Sequence, residues 1–332
     1  MLPEFEAMFA PEADPGSPQP LLLVIGELNV DLILEQVSAL PELEKERTAE
    51  GMTLTLGSSS AILAANASAI GVNVAFIGLV GADPFGRFCV DRLRARGVDT
   101  RHVKEVPDLT TGLTAIYTYG DKRGAITYPG AMAHLTVEHV PDEVLQSADH
   151  LHLSSFYLQS GIRPDCSALF QKARELGLTT SLDPNWDPAE EWRDVLDVVE
   201  YVDVFLPNAD EARWITGESD LDRAIEALSR RTRTVVVTCG VEGVRARRGD
   251  ETYVLPAIPV EPVDAVGAGD SFNAGFLSRY LLGKPMEECL HFGMLAGAFS
   301  TLAAGGTGAF DAPERFHEFV RQAHTRVTSA PG

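Results

Sequence analysis

From position 21 onward, short runs of aliphatic and β-branched residues bounded by Gly, Pro or Asn alternate with longer stretches whose apolar residues recur every three and four positions. The runs predict strands at 21–26, 73–79, 150–154, 179–182, 202–206 and 234–238. The longer stretches predict helices at 59–70, 85–96, 164–176 and 221–230. Gly71, Gly97 and Gly177 follow three of these helices, where a left-handed C-terminal cap favours glycine. Because the strands lack polar alternation, they predict central strands covered by helices on both faces. The expected fold is therefore α/β, a central, mostly parallel sheet with helices on both faces.

Two segments break the rhythm, 34–56 and 110–129, the second carrying LTAIYTY and AITY on either side of a GDKRG turn. Both predict exposed strands or hairpins, pairing into a small β lid over the edge of the sheet. A further hairpin at 243–256 turns at Gly249 and Asp250. The first 20 residues are rich in Pro and acid and predict a disordered leader, which leaves 21–328 as one domain containing the lid segments.

The chain has 332 residues, 45% of them apolar, so a self-sufficient core is expected without disulfide or metal staples. Its 27 basic and 48 acidic residues give a net charge of −21, which argues against nucleic acid and anionic membranes as partners. A local amide-lined pocket can still hold an anion. Cys89, Cys166, Cys239 and Cys289 stand far apart with no C-x-x-C pair, which predicts reduced thiols and a cytoplasmic location. No segment has the character of a secretion signal, and no apolar run approaches the roughly 18 residues a spanning helix needs.

The sharpest chemical signal is DAVGAGDSFNAGFL at 264–277, where Gly267, Ala268 and Gly269 precede Asp270 and a helical pattern. Small residues allow a tight turn that exposes successive N–H groups at a helix start, a seat for a phosphate or oxyanion. Asp270 reads two ways: as a helix N-cap, or as a base beside that seat, the pairing that phosphoryl transfer to a hydroxyl requires. Asn208 and Glu211, three apart at a helix start, read as a capping pair or as phosphate and metal contacts. TCGVEG at 238–243 is a turn or a point of close approach to a nucleotide. Asn29 and Asp31 share one side of an extended segment, suited to edge solvation or to adjacent sugar hydroxyls. His150-x-His152 predicts a structural pair. There is no G-x-x-x-x-G-K-[ST] string and no G-x-G-x-x-G after the first strand, so neither a P-loop nor a dinucleotide site is supported.

DAVGAGD resembles the C-terminal signature D-T-x-G-A-G-D of the ribokinase-like (PfkB) carbohydrate kinases. GELNVDLI at 26–33, GSSSA at 57–61, GADPFG at 81–86, DPN at 183–185, NADE at 208–211 and TCGVEG follow that family's order, so the resemblance spans 21 to about 320. It implies an ATP-dependent, Mg²⁺-requiring kinase acting on a hydroxymethyl group of a sugar or sugar-like molecule. By the same resemblance, Asp270 is the general base, and Gly267, Ala268 and Gly269 form the anion hole. Asn208, Thr238, Gly240, Gly243 and Gly269 hold the nucleotide, with adenine toward Met294, and Glu211 holds Mg²⁺ through water. Asn29, Asp31, Gly57, Ser58 and Asp270 meet the acceptor, and Asp264, Val266, Ser300, Ala303 and Gly305 match a K⁺ site.

The departures from the family lie at the acceptor end. Ser58 stands where a second glycine is usual, Ile62 where a sugar-contacting Asn is common, and Trp186 and Asp187 where a basic residue follows DPN, with Arg193 as its substitute. An isoleucine cannot bind a hydroxyl, so a nucleoside kinase, or a catalytically silent ligand-binding relative, is the alternative on this fold. Leu113, Ile116 and Ile126 in the lid predict a cover, met by a homodimer through the lid.

Overall fold

The computed structural model describes residues 19–120 and 122–329, with side chains described as far as residue 323. The expected leader, apart from Gln19 and Pro20, lies outside the described residues. The elements are β1 (Leu21–Ile25), β2 (Asn29–Glu35), β3 (Gly51–Leu56), α1 (Ser59–Ala69), β4 (Asn73–Gly81), α2 (Pro84–Ala95), β5 (Asp99–Val106), β6 (Gly112–Tyr119) and β7 (Lys122–Tyr128). Then come α3 (Asp142–Ser147), β8 (His150–Leu153), α4 (Cys166–Glu175), β9 (Thr179–Leu182), α5 (Val195–Val199), β10 (Val204–Phe205), α6 (Ala209–Thr216), α7 (Leu221–Ser229) and β11 (Thr234–Thr238). The chain continues through β12 (Val244–Arg248), β13 (Glu251–Leu255), α8 (Ala268–Tyr280), α9 (Met286–Ser300) and α10 (Pro313–Ser329).

A nine-stranded sheet runs in the order β13-β12-β11-β10-β9-β8-β1-β4-β5. It is parallel from β11 to β5, and the β11–β12 and β12–β13 pairings are antiparallel. The two-residue period of β1 feeds both layers: Leu23 and Ile25 pack with Leu151, Phe170 and Leu228, while Leu22 and Val24 pack with Leu63, Phe76 and Phe276. Two-sided burial is why these strands read as unbroken apolar runs. Gly71, Gly97 and Gly177 take φ of 96°, 84° and 91° directly after α1, α2 and α4, as left-handed helix stops.

A second sheet, β3-β2-β6-β7, pairs β2 with β6 in parallel and β2–β3 and β6–β7 in antiparallel fashion. It starts at Asn29 rather than Leu34, so Asn29 and Asp31 are lid residues. Leu32 and Leu34 continue the apolar run, so Gly26 read as the end of a strand without showing that the chain passes there from one sheet to the other. One lid face carries Asp31, Thr114 and Thr127 in one row, and the other carries Met52, Ile126 and Tyr128. Of the lid residues expected to need a cover, Ile126 is 69% exposed, whereas Ile116 is buried and Leu113 packs against the core. The edge strand β5 escapes the apolar-run pattern because DTRHVKEV is polar and open to solvent along most of its length, with Thr100 its one buried residue. No helix among the described residues is long and apolar enough to cross a membrane.

His150 and His152 are structural, as their strand position predicts. His150 bridges Thr179 Oγ1 and Ser181 Oγ, and His152 bridges Ser181 Oγ and Ser154 Oγ, each contact at 2.7 Å. Burial keeps both imidazoles neutral by pushing them down to about 3.

Candidate active site

At the carboxyl ends of β1, β8 and β9, beneath the lid sheet, lies a cleft of about 510 Å³. Its phosphate end is the turn into α8. Gly267 is the N-cap, with φ 72°, and Asp270 is the third helical residue. The capping reading of Asp270 therefore does not hold. The Ala268 amide makes only a 3.3 Å bond to the Ala265 carbonyl, and among the described residues the Gly269 and Asp270 amides have no acceptor. Gly267, Ala268, Gly269 and Asp270 all line the cleft. Unclaimed amides at the start of a 13-residue helix are suited to an anion.

Asp270 is 8% exposed. Burial pushes its carboxyl up to about 7, opposed by a hydrogen bond from Ser59 and reinforced by the charges of Glu27 and Asp31. Behind Ser59 runs a chain of fixed side chains. Asn185 Nδ2 donates to Ser59 Oγ at 3.0 Å, and Asn185 Oδ1 accepts from the Ser155 amide at 2.8 Å. Ser155 Oγ donates to Glu27 Oε1 at 2.8 Å, and Glu27 also takes the Ser60 amide at 3.1 Å and the Ser60 hydroxyl at 2.5 Å. Ser155 and Asn185 both sit at φ 52°, a left-handed backbone costing non-glycine residues about 1–2 kcal/mol. Their mutual hydrogen bonds hold that strain at the ends of β8 and β9.

Asn208 and Glu211 form a capping box, the first of their two readings, and line the cleft as well. Asn208 Oδ1 accepts from the Asp210 and Glu211 amides, and Glu211 Oε2 accepts from the Asn208 amide at 2.8 Å. Burial raises the Glu211 carboxyl to about 7, against the Asn208 amide bond and with the charge of Asp270 adding to it. Asp183, bonded by Asn273 Nδ2 at 2.7 Å, is pushed well above the carboxylate range by burial and by the charges of Glu211 and Asp270. Such crowding favours a divalent cation. Among the described residues no three His, Cys, Asp or Glu gather as a metal cage, so an ion at Glu211 would complete its shell with water and phosphate oxygens, as Mg²⁺ prefers.

At the acceptor end, Asn29, Asp31, Ser58, Ile62 and Thr114 line the cleft. Asn29 Nδ2 donates to Thr114 Oγ1 at 3.0 Å, while its buried Oδ1 has no partner among the described residues and is free to accept from a ligand hydroxyl. Asp31 is raised to about 7, first by burial, with Thr114 and Arg123 opposing. Ser58 caps α1 at φ 74°, the conformation a glycine would take without strain. Gly57 does not line the cleft but acts one layer back, since a Cβ there would stand 2.2 Å from Asp31 Oδ1.

Thr238 lines the cleft, but Gly240 and Gly243 do not. A Cβ on Gly243 would meet the Leu255 carbonyl at 2.0 Å, so that glycine admits the neighbouring strand. Met294 is a core residue packed with α8, and Arg193 is exposed and paired with Glu191. Neither lines the cleft. Of the K⁺ positions only Val266 does so. Asp264 ties the others together, accepting from the Val266 amide at 3.0 Å and the Gly305 amide at 2.8 Å. The carbonyls of Asp264, Val266, Ser300 and Ala303 accept no backbone hydrogen bond among the described residues, which fits a monovalent cation held by backbone oxygens. The sequence reading missed Glu27, Ser59, Ser155, Asp183 and Asn185 as site residues. Glu27 next to LNVD and the DPN turn were the available signals for three of them.

A family model described as pfkB family carbohydrate kinase matches residues 19–313. A ribokinase of Haemophilus influenzae is 27% identical over 311 residues, covering 91% of this chain and 99% of that protein. An ATP-dependent ribose-1-phosphate kinase of Halopiger xanaduensis is 31% identical over 303 residues, covering 88% and 94%. The structure of Arabidopsis thaliana ribokinase complexed with ribose and ATP aligns with a TM-score of 0.80 at 23% identity, covering 92% of this chain and 99% of that one.

Proposed function

Because the chain belongs to the pfkB family of carbohydrate kinases, which are ATP-dependent phosphotransferases, we propose that it moves the γ-phosphoryl group of ATP onto a hydroxymethyl group of a sugar-like acceptor with Asp270 as base. Residues 21–328 act as one kinase domain roofed by the four-stranded lid. The observation that carries this reading is Asp270 itself, a buried carboxyl facing the cleft beside amides that the protein leaves unbonded.

Asn29 and Asp31 orient the acceptor by its hydroxyls so that one hydroxyl meets Asp270. The acceptor oxygen attacks the γ-phosphorus, the bond from that phosphorus to the ADP oxygen breaks, and the hydroxyl proton passes to the Asp270 carboxylate. The amides of residues 267–270 face the charge spreading over the transferring oxygens. Glu211 would hold Mg²⁺ through water, and that ion would supply neutralisation of the phosphate charge; the backbone oxygens of Asp264, Val266, Ser300, Ala303 and Gly305 would hold K⁺ behind the same turn. The four cysteines are free, which suits a reducing compartment, and the cytoplasm is the proposed location. The two relatives named above are a ribokinase and a ribose-1-phosphate kinase, so pentose acceptors are the first to test. A nucleoside is the second reading, favoured by Ile62, Ile116, Ala125, Met132 and Leu158 on the cleft wall. A panel of pentoses, hexoses and nucleosides under one ATP assay separates the two.

A base raised to about 7 is half protonated there, so kcat/KM is expected to climb as pH rises through about 7 and to fall tenfold per unit well below it. Asp31 and Glu211 titrate in the same range, and the limb belongs to the cluster. The Ser59 hydrogen bond favours the ionised form of Asp270, so Ser59→Ala is expected to move the acid limb to higher pH. A pH–rate profile unmoved by this change would remove Ser59 from the account.

The outer face of the lid exposes Met52 by 68%, Ile126 by 69% and Tyr128 by 57%, and a second copy of the chain is the proposed cover. Sedimentation at micromolar concentration should give a dimer, and Ile126→Asp a monomer. A wild-type monomer would refute the proposal.

A further inference from the structure

We infer that the acceptor carries an anionic group, a carboxylate or a phosphate, which Arg123 of the lid receives. The inference rests on the kinase reading and narrows its substrate class. Five carboxylates, those of Glu27, Asp31, Asp183, Glu211 and Asp270, line the cleft, and Arg123 is the one lysine or arginine among the lining residues. In a chain of net charge −21, such a cleft repels any anion that lacks a dedicated cation. The phosphates of ATP have the amide donors of the α8 turn and would bring the Mg²⁺ that Glu211 is placed to hold through water. A charged acceptor has only Arg123.

Arg123 is placed for that purpose. It makes no ion pair and donates no hydrogen bond to any described residue, so its five-donor fork is unspent. Some surface arginines are engaged, Arg96 with Asp311, Arg231 with Glu200 and Arg245 with Asp222 among them, while Arg87 and Arg233 are as unpaired as Arg123; what sets Arg123 apart is that it alone of these lines the cleft. Strand alternation puts Arg123, Ala125 and Thr127 of β7 on one face, and Thr127 Oγ1 lies 3.2 Å from Thr114 Oγ1, the group that also takes Asn29 Nδ2. This is the acceptor side of the cleft, where Arg123 is close enough for its charge to hold Asp31 down. Arg123 stands four positions along β7 from Thr127, roughly 13 Å at ~3.3 Å per residue. An extended acceptor would then present its hydroxyls to Asn29 and Asp31 and its charged end to the lid rim. A guanidinium pairs with carboxylate or phosphate through two parallel N–H···O bonds, a geometry no neutral sugar offers.

The test uses the full chain with ATP and matched acceptors: ribose against ribose 1-phosphate, fructose against fructose 6-phosphate, and 2-keto-3-deoxygluconate as a carboxylate. At least one anionic acceptor should exceed every neutral one in kcat/KM by tenfold or more. Arg123→Ala should cut that preference by about 10- to 100-fold, chiefly through KM, with Arg123→Lys retaining part of it. Raising the salt concentration should raise the wild-type KM for the anionic acceptor far more than for the neutral one, a readout independent of any variant. Neutral acceptors preferred in every pair would overturn the inference and leave the kinase reading standing. So would an equal fall for both members of a pair in Arg123→Ala, which would put the guanidinium on the transferring phosphoryl group instead. A chain that binds ATP and phosphorylates no member of the panel, charged or neutral, would overturn both.

Discussion

Replacing Asp270 with asparagine is expected to lower kcat by about 10²- to 10⁴-fold, the range that removal of a positioned base produces. The substitution keeps the shape of a side chain that is 8% exposed, and it leaves the cap of α8 untouched because Gly267 occupies that position. Ser59, which donates to the carboxylate, finds an amide oxygen in its place, so the chain through Asn185 and Ser155 to Glu27 has no cause to collapse. What disappears is the ability to take up the hydroxyl proton. Binding of Mg-ATP should be retained or slightly tightened, since one negative charge leaves a cleft that also holds Glu27, Asp31, Asp183 and Glu211. Steady-state kinetics paired with calorimetric titration of the nucleotide reads both quantities. Turnover within a few-fold of the parent would remove Asp270 from the role of base, and a lost nucleotide affinity would make it a binding residue instead.

The parts legible in the sequence are those governed by local rules. Leu22 to Ile25 read as a buried strand because both faces are covered, and Gly71, Gly97 and Gly177 read as stops because each needs a left-handed backbone. The turn at 267–269 was legible for the same reason: only small residues expose amides that closely. The role of Asp270 was not, since the same residue types serve as caps; Gly267 at φ 72° occupies the cap position and removes that one reading. Convergence was also hidden. Glu27 comes from the end of β1, Asp183 from the end of β9, Glu211 from α6 and Asp270 from α8, and no spacing along the chain announces that one cleft gathers them. Ser155 and Asn185 carry a backbone strain that arises from tertiary hydrogen bonds, which no propensity encodes. Arg123 belongs to the GDKRG string, which reads as a turn where a cation ordinarily means solvent, whereas it lies in β7 on the wall of the cleft.

Gly267→Ala is expected to lower kcat by about 10²- to 10³-fold, near the loss seen when an oxyanion donor is removed, and to lower the thermal midpoint by several degrees. At φ 72° an alanine costs about 1–2 kcal/mol from its backbone alone. Its Cβ would also stand 2.6 Å from Gly306 Cα and 3.1 Å from Ile62 Cγ2. Gly306 is poorly able to retreat. Asn66 Nδ2 holds its carbonyl at 2.9 Å, and Asp264 holds the neighbouring Gly305 amide at 2.8 Å. The strain must therefore be relieved by the 265–268 turn, which carries the unbonded amides out of register with the phosphoryl group. Gly269→Ala is the matched control, because a Cβ there meets nothing within 4 Å. It should keep the parent's melting temperature while its methyl intrudes on the anion seat, so the two variants separate the integrity of the turn from access to it. If Gly269→Ala unfolded as readily as Gly267→Ala, the turn would be a structural hinge rather than a preformed seat for a migrating phosphoryl group.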